Sequence, residues 1–364
     1  MVPNASNYAF LFPVAALLLF GLAMLSTASA VLSYSDFEDN YYYLKHQLVN
    51  GVVPGILLFI AASYFPYRRL KRFALPFFLF AIFLLLLVFA PVIGVSHNGA
   101  SRWLAFGPFS FQPSEVLKLA FIIYLAALFD SKKQRITSLT EGLIPFLGLS
   151  ALAGSFLVLE PDLGTLGIIL GTALVMYFAA GAKMTHMLGA IALGLVAFAA
   201  FIFIFGHAWD RIETFLYPEQ DALGSSYQIN RALGAIQSGG AFGMGFGGAQ
   251  QKLGATLPEP MGDSIVAVIA LELGLAGIAV ILGLFLLLGW HGLSIAKHAP
   301  DTFGALIATG VVAWILTQAF VNMAAISGMM PLTGIPLPFV SYGGTSLAVL
   351  LTACGIVYNI QKTT

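Results

Sequence analysis

The chain has 364 residues, of which 59% are hydrophobic and 9% charged, and its mean hydropathy is +0.92. Soluble domains carry about a quarter charged residues, so this composition excludes one and specifies a polytopic membrane protein. Basic and acidic residues balance at 16 each, with no basic stripe interleaved with aromatics, which excludes a nucleic-acid partner; the single cysteine, Cys354, excludes a disulfide or a cysteine-ligated metal within one chain.

From the N-terminus, the first apolar run spans Tyr8 to Ser33 and contains Ala28-Ser-Ala30, a small-residue pattern like a signal-peptidase site. No Lys or Arg precedes Lys45, and the run exceeds the roughly 7–15 residues of a signal h-region. It is read as a transmembrane helix. Further apolar runs of about 18 or more residues fall near 46–65, 73–95, 113–130, 142–159, 163–181, 185–206, 264–290, 302–326 and 341–361. The expected fold is all-α, with about ten transmembrane helices forming a single domain over 1–364.

Orientation follows from the basic residues. With both termini cytoplasmic, Arg68, Arg69, Lys71, Arg72, Lys132, Lys133, Arg135, Lys183, Lys297 and Lys362 all fall inside. The large loop 207–262, between the seventh and eighth helices, then faces outward. No repeat of 20–50 residues and no similarity between halves marks the chain as a secondary transporter.

Charges near lipid are functional candidates. Arg102 lies in Asn98-Gly-Ala-Ser-Arg-Trp103, ahead of Gln112-Pro-Ser-Glu-Val-Leu-Lys118. Pro113 suits a first helical turn, and Glu115 and Lys118, three apart, share a face and can pair. They read either as an intramembrane ion pair locking two helices or, with Arg102, as a set that holds a phosphate-bearing ligand. Glu160-Pro-Asp162-Leu-Gly-Thr165 forms a turn between two spans, where Asp162 suits the cap of the next helix.

The large loop is rich in glycine and ends in an acid at the mouth of a helix, which is where chemistry is expected. Gly243-Met-Gly-Phe-Gly-Gly248 matches a nucleotide-binding pattern by letter, but no βαβ unit surrounds it. Its glycines are read as permitting a tight turn or the close approach of a ligand, with the segment outside the membrane. Arg231 and Lys252 flank it, and cations beside flexible N–H groups make an anion cradle. Asp263, read alone, is a helix N-cap. Glu272, inside the same helix, is either paired with a basic residue elsewhere or protonated. No H-E-x-x-H, Walker A or G-x-S-x-G pattern appears, so metal-bound or serine-nucleophile hydrolysis has no support.

Four ordered blocks resemble the SEDS family, the RodA and FtsW glycan polymerases of bacterial cell-wall synthesis. They are Arg102-Trp103 with Gln112 to Lys118; Glu160 to Thr165; Tyr227 to Gly274, including Leu257-Pro-Glu-Pro-Met-Gly-Asp263; and Asn322 with Gly328 to Ser346. The family usually reads H-T-D where this chain has Met261-Gly-Asp263, E-E-L-G where it has Leu271-Glu-Leu-Gly274, and Gln where it has Glu160. The resemblance implies a peptidoglycan glycosyltransferase that polymerises lipid II and releases undecaprenyl diphosphate, for cell elongation or division. It implies Asp263 as general base and Arg102, Glu115, Lys118, Asp162, Arg231, Lys252 and Ser341 as substrate-binding residues. Of these, Arg102, Lys118, Arg231 and Lys252 would stabilise the leaving pyrophosphate. A class B penicillin-binding protein, a transpeptidase, is the implied partner, and the bacterial cytoplasmic membrane the implied location, with the active site on its extracytoplasmic face. No cofactor is assigned; a Mg2+ or Mn2+ ion on the pyrophosphate is left open. The competing readings are a lipid II flippase and a non-catalytic scaffold for a transpeptidase.

Overall fold

The computed structural model describes residues 8–90, 93–97, 100–106, 109–204, 206–217, 226–253 and 256–363. Helices α1 (Leu11–Ala28) and α2 (Ala30–Phe37) lead to a rod in which α3 (Tyr42–Gln47) joins α4 (Val53–Tyr64) through a π-helical turn at Leu48–Val52. Next comes α5 (Tyr67–Leu87), then three short strands, β1 (Gly94–His97), β2 (Ala100–Phe106) and β3 (Phe109–Phe111). The remaining helices are α6 (Pro113–Ser131), α7 (Ile144–Leu159), α8 (Leu163–Ala179), α9 (Met184–Ile204), α10 (Gly206–Leu216), α11 (Tyr227–Gly239), α12 (Gly248–Leu253), α13 (Ile265–His298), α14 (Thr302–Ile326) and α15 (Gly344–Lys362).

Each of the ten expected spans coincides with a helix. Among the described residues, eight helical segments are long and apolar enough to cross a membrane, so the chain is a multi-pass membrane protein. The other two are α8, with 17 residues, and α6, which carries Glu115, Lys118 and Asp130. Two details depart from expectation. The third span starts at Tyr67 and stops at Leu87 instead of running over 73–95; Arg68 to Arg72 fit its first turns by extending their heads to water, and a helix ends short of Pro91. The fold is also not wholly α, since β1, β2 and β3 form an antiparallel sheet in that order.

The core is centred on α14, which packs against α13, α8 and α6 and buries Ile307, Val311, Trp314 and Ile315 completely or nearly so. At one end of the bundle, exposed ion pairs join Arg68 to Asp301 and Lys71 to Asp130, gathering the basic cluster into one belt. At the flank, α15 lies along α4. Asn359 accepts from the Tyr67 N–H at 3.0 Å and donates to the Ser63 carbonyl at 2.8 Å, while Gln47 accepts from the Gly343 N–H at 3.0 Å.

The predicted outward loop 207–262 corrects the sequence reading most. Its described part is largely helical, and it folds back along α13. Gln228, in the first turn of α11, meets Asp263, whereas Gly239, at the other end of α11, lies against the Ala270 carbonyl. There α13 is broken at Gly274, with φ 66° and ψ −161°. The glycine-rich segment fills the break. Met244 and Gly245 donate to the freed carbonyls of Leu271 and Glu272, both at 2.9 Å, and Leu275 and Ala276 donate to Gly240 and Ala241 at 3.0 and 3.1 Å. A Cβ at Gly243 would fall 2.1 Å from the Glu272 carbonyl oxygen, so glycine is required there. The segment therefore lies about 13 Å along α13 from Asp263, at about 1.5 Å per residue, packed into the helix break instead of forming a free loop.

Candidate active site

Asp263 precedes α13 and is half-buried. It does not cap the helix: Ser264 occupies the N-cap position, and no side chain there bonds a first-turn N–H. The carboxylate is instead held from α11, where Gln228 Nε2 donates to Asp263 Oδ1 at 2.9 Å and to Ser264 Oγ at 3.0 Å. Loss of hydration, and next the nearby Glu259 carboxylate, push the Asp263 carboxyl up to about 6 from an ordinary 3.8, against the lowering hydrogen bonds of Gln228 and Ser264. Glu259 turns back over Gly262, its Oε2 lying 3.0 Å from where a Cβ would sit. The absence of the resembling family's threonine at 262 thus makes room for a second carboxylate beside the first.

The backbone around Asp263 is fixed by the coil between α14 and α15. Asn322 Nδ2 donates to the carbonyls of Asp263 and Ile335, at 2.8 and 2.7 Å. Ser341 Oγ donates to Gly262 O at 2.7 Å and accepts from the Leu337 N–H at 2.8 Å, and the Tyr342 N–H donates to Met261 O at 2.8 Å. Ser341 thereby holds the turn that carries Asp263.

The same coil reaches the other predicted residues. Lys118 and Glu115 pair at 2.8 Å with side chains 3% exposed, and Lys118 also donates to Gln318 Oε1 at 3.0 Å. Gln318 in turn donates to Pro336 O at 2.9 Å and accepts from Trp314 Nε1 at 2.8 Å. The buried pair therefore joins α6 to α14, which is the locking arrangement. On the other side of the coil, α8 approaches through Gly164, whose Cβ would lie 2.9 Å from Thr333 O. Asp162 caps α8, its Oδ1 accepting from the Thr165 N–H at 3.1 Å, and is 5% exposed.

Arg102 in β2 donates to the backbone carbonyls of Glu160, at 3.1 Å, and Pro161, bringing together two motifs 58 residues apart. Among the described residues neither oxygen of Glu160 has a hydrogen-bond partner, and the residue is 1% exposed. Burial, then the neighbouring Asp162 charge, push its carboxyl up to about 8, with Arg102 opposing. Arg231 and Lys252 are exposed. Arg231 lies one turn beyond Gln228 and stacks over Tyr227 at 5.3 Å, while Lys252 sits in α12, apart from Asp263 in every contact described.

Sequence reasoning missed Gln228 as the Asp263 partner, Gln318 and Asn322 as holders of the coil, and Thr27 as the partner of Glu272, to which it donates at 2.9 Å. Gln318 and Asn322, four apart in an otherwise apolar helix, were the available signal, because lone amides inside a span need partners.

Residues 8–364 match the family model of the FtsW, RodA and SpoVE proteins, described as "Cell cycle protein". The chain is 39% identical over 348 residues to stage V sporulation protein E of Bacillus subtilis, covering 95% of this chain and 94% of that protein. It is 38% identical over 346 residues to the probable peptidoglycan glycosyltransferase FtsW of Geobacter metallireducens, covering 95% and 92%. Among solved structures, a chain from "Structural coordination of polymerization and crosslinking by a peptidoglycan synthase complex" superposes with a TM-score of 0.83 at 28% identity, covering 99% of each chain. The rod shape determining protein RodA of Thermus thermophilus superposes with a TM-score of 0.72 at 27% identity, covering 99% of this chain and 97% of that one. A match over nearly the whole chain, with the four blocks gathered around one coil, settles the lineage: the protein belongs to the FtsW, RodA and SpoVE family.

Proposed function

We propose that the protein is a peptidoglycan glycosyltransferase that polymerises lipid II at the Asp263 site. The activity is the one named for its FtsW relatives. The observation that carries the site is Asp263 itself: a half-buried carboxylate outside the N-cap position, held by the Gln228 amide while the Asn322 amide holds its backbone carbonyl, with its proton affinity raised toward neutrality. A general base works best with a pKa near the operating pH.

In the reaction, an acceptor sugar hydroxyl attacks the anomeric carbon of the donor. The new C–O bond forms as the bond to the pyrophosphate breaks, the hydroxyl proton passes to Asp263, and undecaprenyl diphosphate leaves with the bonding electrons. Gln228 keeps one carboxylate oxygen oriented, leaving the other for the proton. Arg231, exposed one turn away on α11, is the cation we assign to the departing diphosphate. Arg102, Glu115, Lys118, Asp162 and Ser341 build the walls of the site instead, because their hydrogen bonds are made within the protein. A Mg2+ or Mn2+ ion, when present, would be held chiefly by phosphate oxygens and water. We assign a class B penicillin-binding protein as partner, in keeping with the synthase complex among the structural neighbours, and the extracytoplasmic face as the side of reaction.

The test supplies lipid II in detergent to the purified protein with its partner. Long glycan strands are expected from the wild type and none from Asp263→Asn. Strand synthesis by the variant would remove Asp263 from catalysis; no synthesis by the wild type would favour a flippase or a scaffold.

A further inference from the structure

The glycine-rich segment that fills the break in α13 presents three apolar side chains outward. Phe242, Met244 and Phe246 are 84%, 53% and 65% exposed. They alternate with Gly243, Gly245 and Gly247, all at positive φ, so the backbone turns inward to bond α13 while the large side chains point away. Glu272 fastens the segment from inside: its Oε1 accepts from the N–H groups of Gly247 and Ala249, at 3.1 and 3.3 Å, and its Oε2 from Thr27 at 2.9 Å.

The depth of this segment can be read from two helices. On α13, Ile265 to Glu272 are all buried, and beyond the break begins a row of exposed apolar residues, Leu275, Val280, Leu282, Leu286, Trp290 and Leu293, closed by Lys297. Ala276, which bonds Ala241, and Lys297 are 21 residues apart, or about 31 Å at 1.5 Å per residue, close to the ~30 Å of a bilayer hydrocarbon core. On α1, the contact with Glu272 comes from Thr27, at the end of a helix whose apolar span closes at Ala28. Both helices put the segment at the same membrane boundary.

We propose that Phe242, Met244 and Phe246 are seated among lipid acyl chains at that boundary, so that the segment is a membrane-interface anchor. The occupant is lipid because the segment is bonded to α13 at Leu275 and Ala276, where the exposed apolar row of that helix begins, and because apolar and aromatic side chains on a polar backbone suit an interface. The anchor fixes one end of α11, whose other end carries Gln228 against Asp263.

The proposal rests on the membrane-spanning reading of α13, and the test separates the two. Cysteines at 242, 252 and 286 are introduced singly into a Cys354→Ser chain, labelled with an environment-sensitive fluorophore and placed in phosphatidylcholine nanodiscs. Lipid bearing a nitroxide near the headgroup end of the acyl chain, or aqueous iodide, serves as quencher. The label at 242 should be quenched by the lipid nitroxide several-fold more than the label at 252, with blue-shifted emission. Quenching at 242 by iodide instead would put the segment in water. Quenching by neither would mean that protein covers it. Each of these two results overturns the anchor. The label at 286 must respond to lipid in every case; silence there would mean that α13 itself has been misread.

Discussion

The Nδ2 of Asn322 lies 2.8 Å from the carbonyl oxygen of Asp263, and the same amide reaches Ile335. One buried side chain of α14 thus sets the height of the Asp263 backbone against the α14–α15 coil. Asn322→Ala would leave the buried Ile335 carbonyl unsatisfied, a loss of about 1–3 kcal/mol, and the partly buried Asp263 carbonyl without its donor, at a smaller cost. Asn322→Asp would point a carboxylate at both. Thermal unfolding in detergent should drop for both variants, and further for Asp, with polymerisation falling in the same order. A wild-type rate for Asn322→Asp would deny the positioning role.

At Asp263 the pH dependence has a definite sign. The base acts when ionised, so the rate should climb with pH through about 6 and level off above it. Folding should follow the opposite trend. The folded value lies above the unfolded 3.8, so the folded state binds the proton more tightly, and stability is greatest below about 4 and declines toward 6. Asp263→Asn keeps the Oδ1 that Gln228 needs and loses the ionisation. It should therefore melt no lower than wild type at pH 7, while losing roughly 10²–10⁴ in rate.

Glu160 offers a cleaner test of the same physics, because among the described residues no donor meets its carboxylate. Its folded value of about 8 against 4.5 unfolded means that stability is full below pH 4.5 and is lost as pH rises toward 8. Glu160→Gln should stabilise the protein by about 3 kcal/mol at pH 7, at about 1.4 kcal/mol per pH unit, with the gain vanishing near pH 4.5. Equal melting temperatures at both pH values would show that the carboxylate is hydrated or paired.

For the buried pair, Lys118→Met alone strands Glu115 in the core, at about 3–5 kcal/mol. The double change Glu115→Gln with Lys118→Met removes both charges, and its unfolding transition should return most of the way to wild type. A double variant as unstable as the single one would mean that Lys118 stabilises through Gln318 and Trp314 and not through its charge partner.

Orientation is open to single-cysteine labelling on a Cys354→Ser background. Position 252 should react with an impermeant reagent from outside, and positions 133 and 297 only after the membrane is breached. Reaction of 133 from outside would reverse the chain in the bilayer. Of the positions named in the sequence reading, Ser341 lies on the α14–α15 coil, Asp263 and the Glu115–Lys118 pair reach it through Asn322 and Gln318, and Arg102 and Asp162 gather at the α7–α8 turn; that division of labour was not legible. Spacing predicted that Glu115 and Lys118 would pair, and they do. Composition could not tell that the polar stretch after Tyr227 bends back into a helix break, because periodicity sees an interrupted pattern and not the partner that fills the interruption. Nor could local rules assign Gln318 and Asn322, whose acceptors lie 18 and 59 residues away.

The clasp between α4 and α15 has a consequence for how the molecule is made. Gln47 and Ser63 receive their partners, Gly343 and Asn359, from 296 residues further along. During synthesis α4 must therefore wait in the membrane with an amide and a freed carbonyl unsatisfied until α15 has been threaded. Contacts of such long reach close late. Chains that stop short of Gly344 should accordingly be marked for degradation by their unpartnered α4, and a separately expressed α15 should rescue them by completing the clasp.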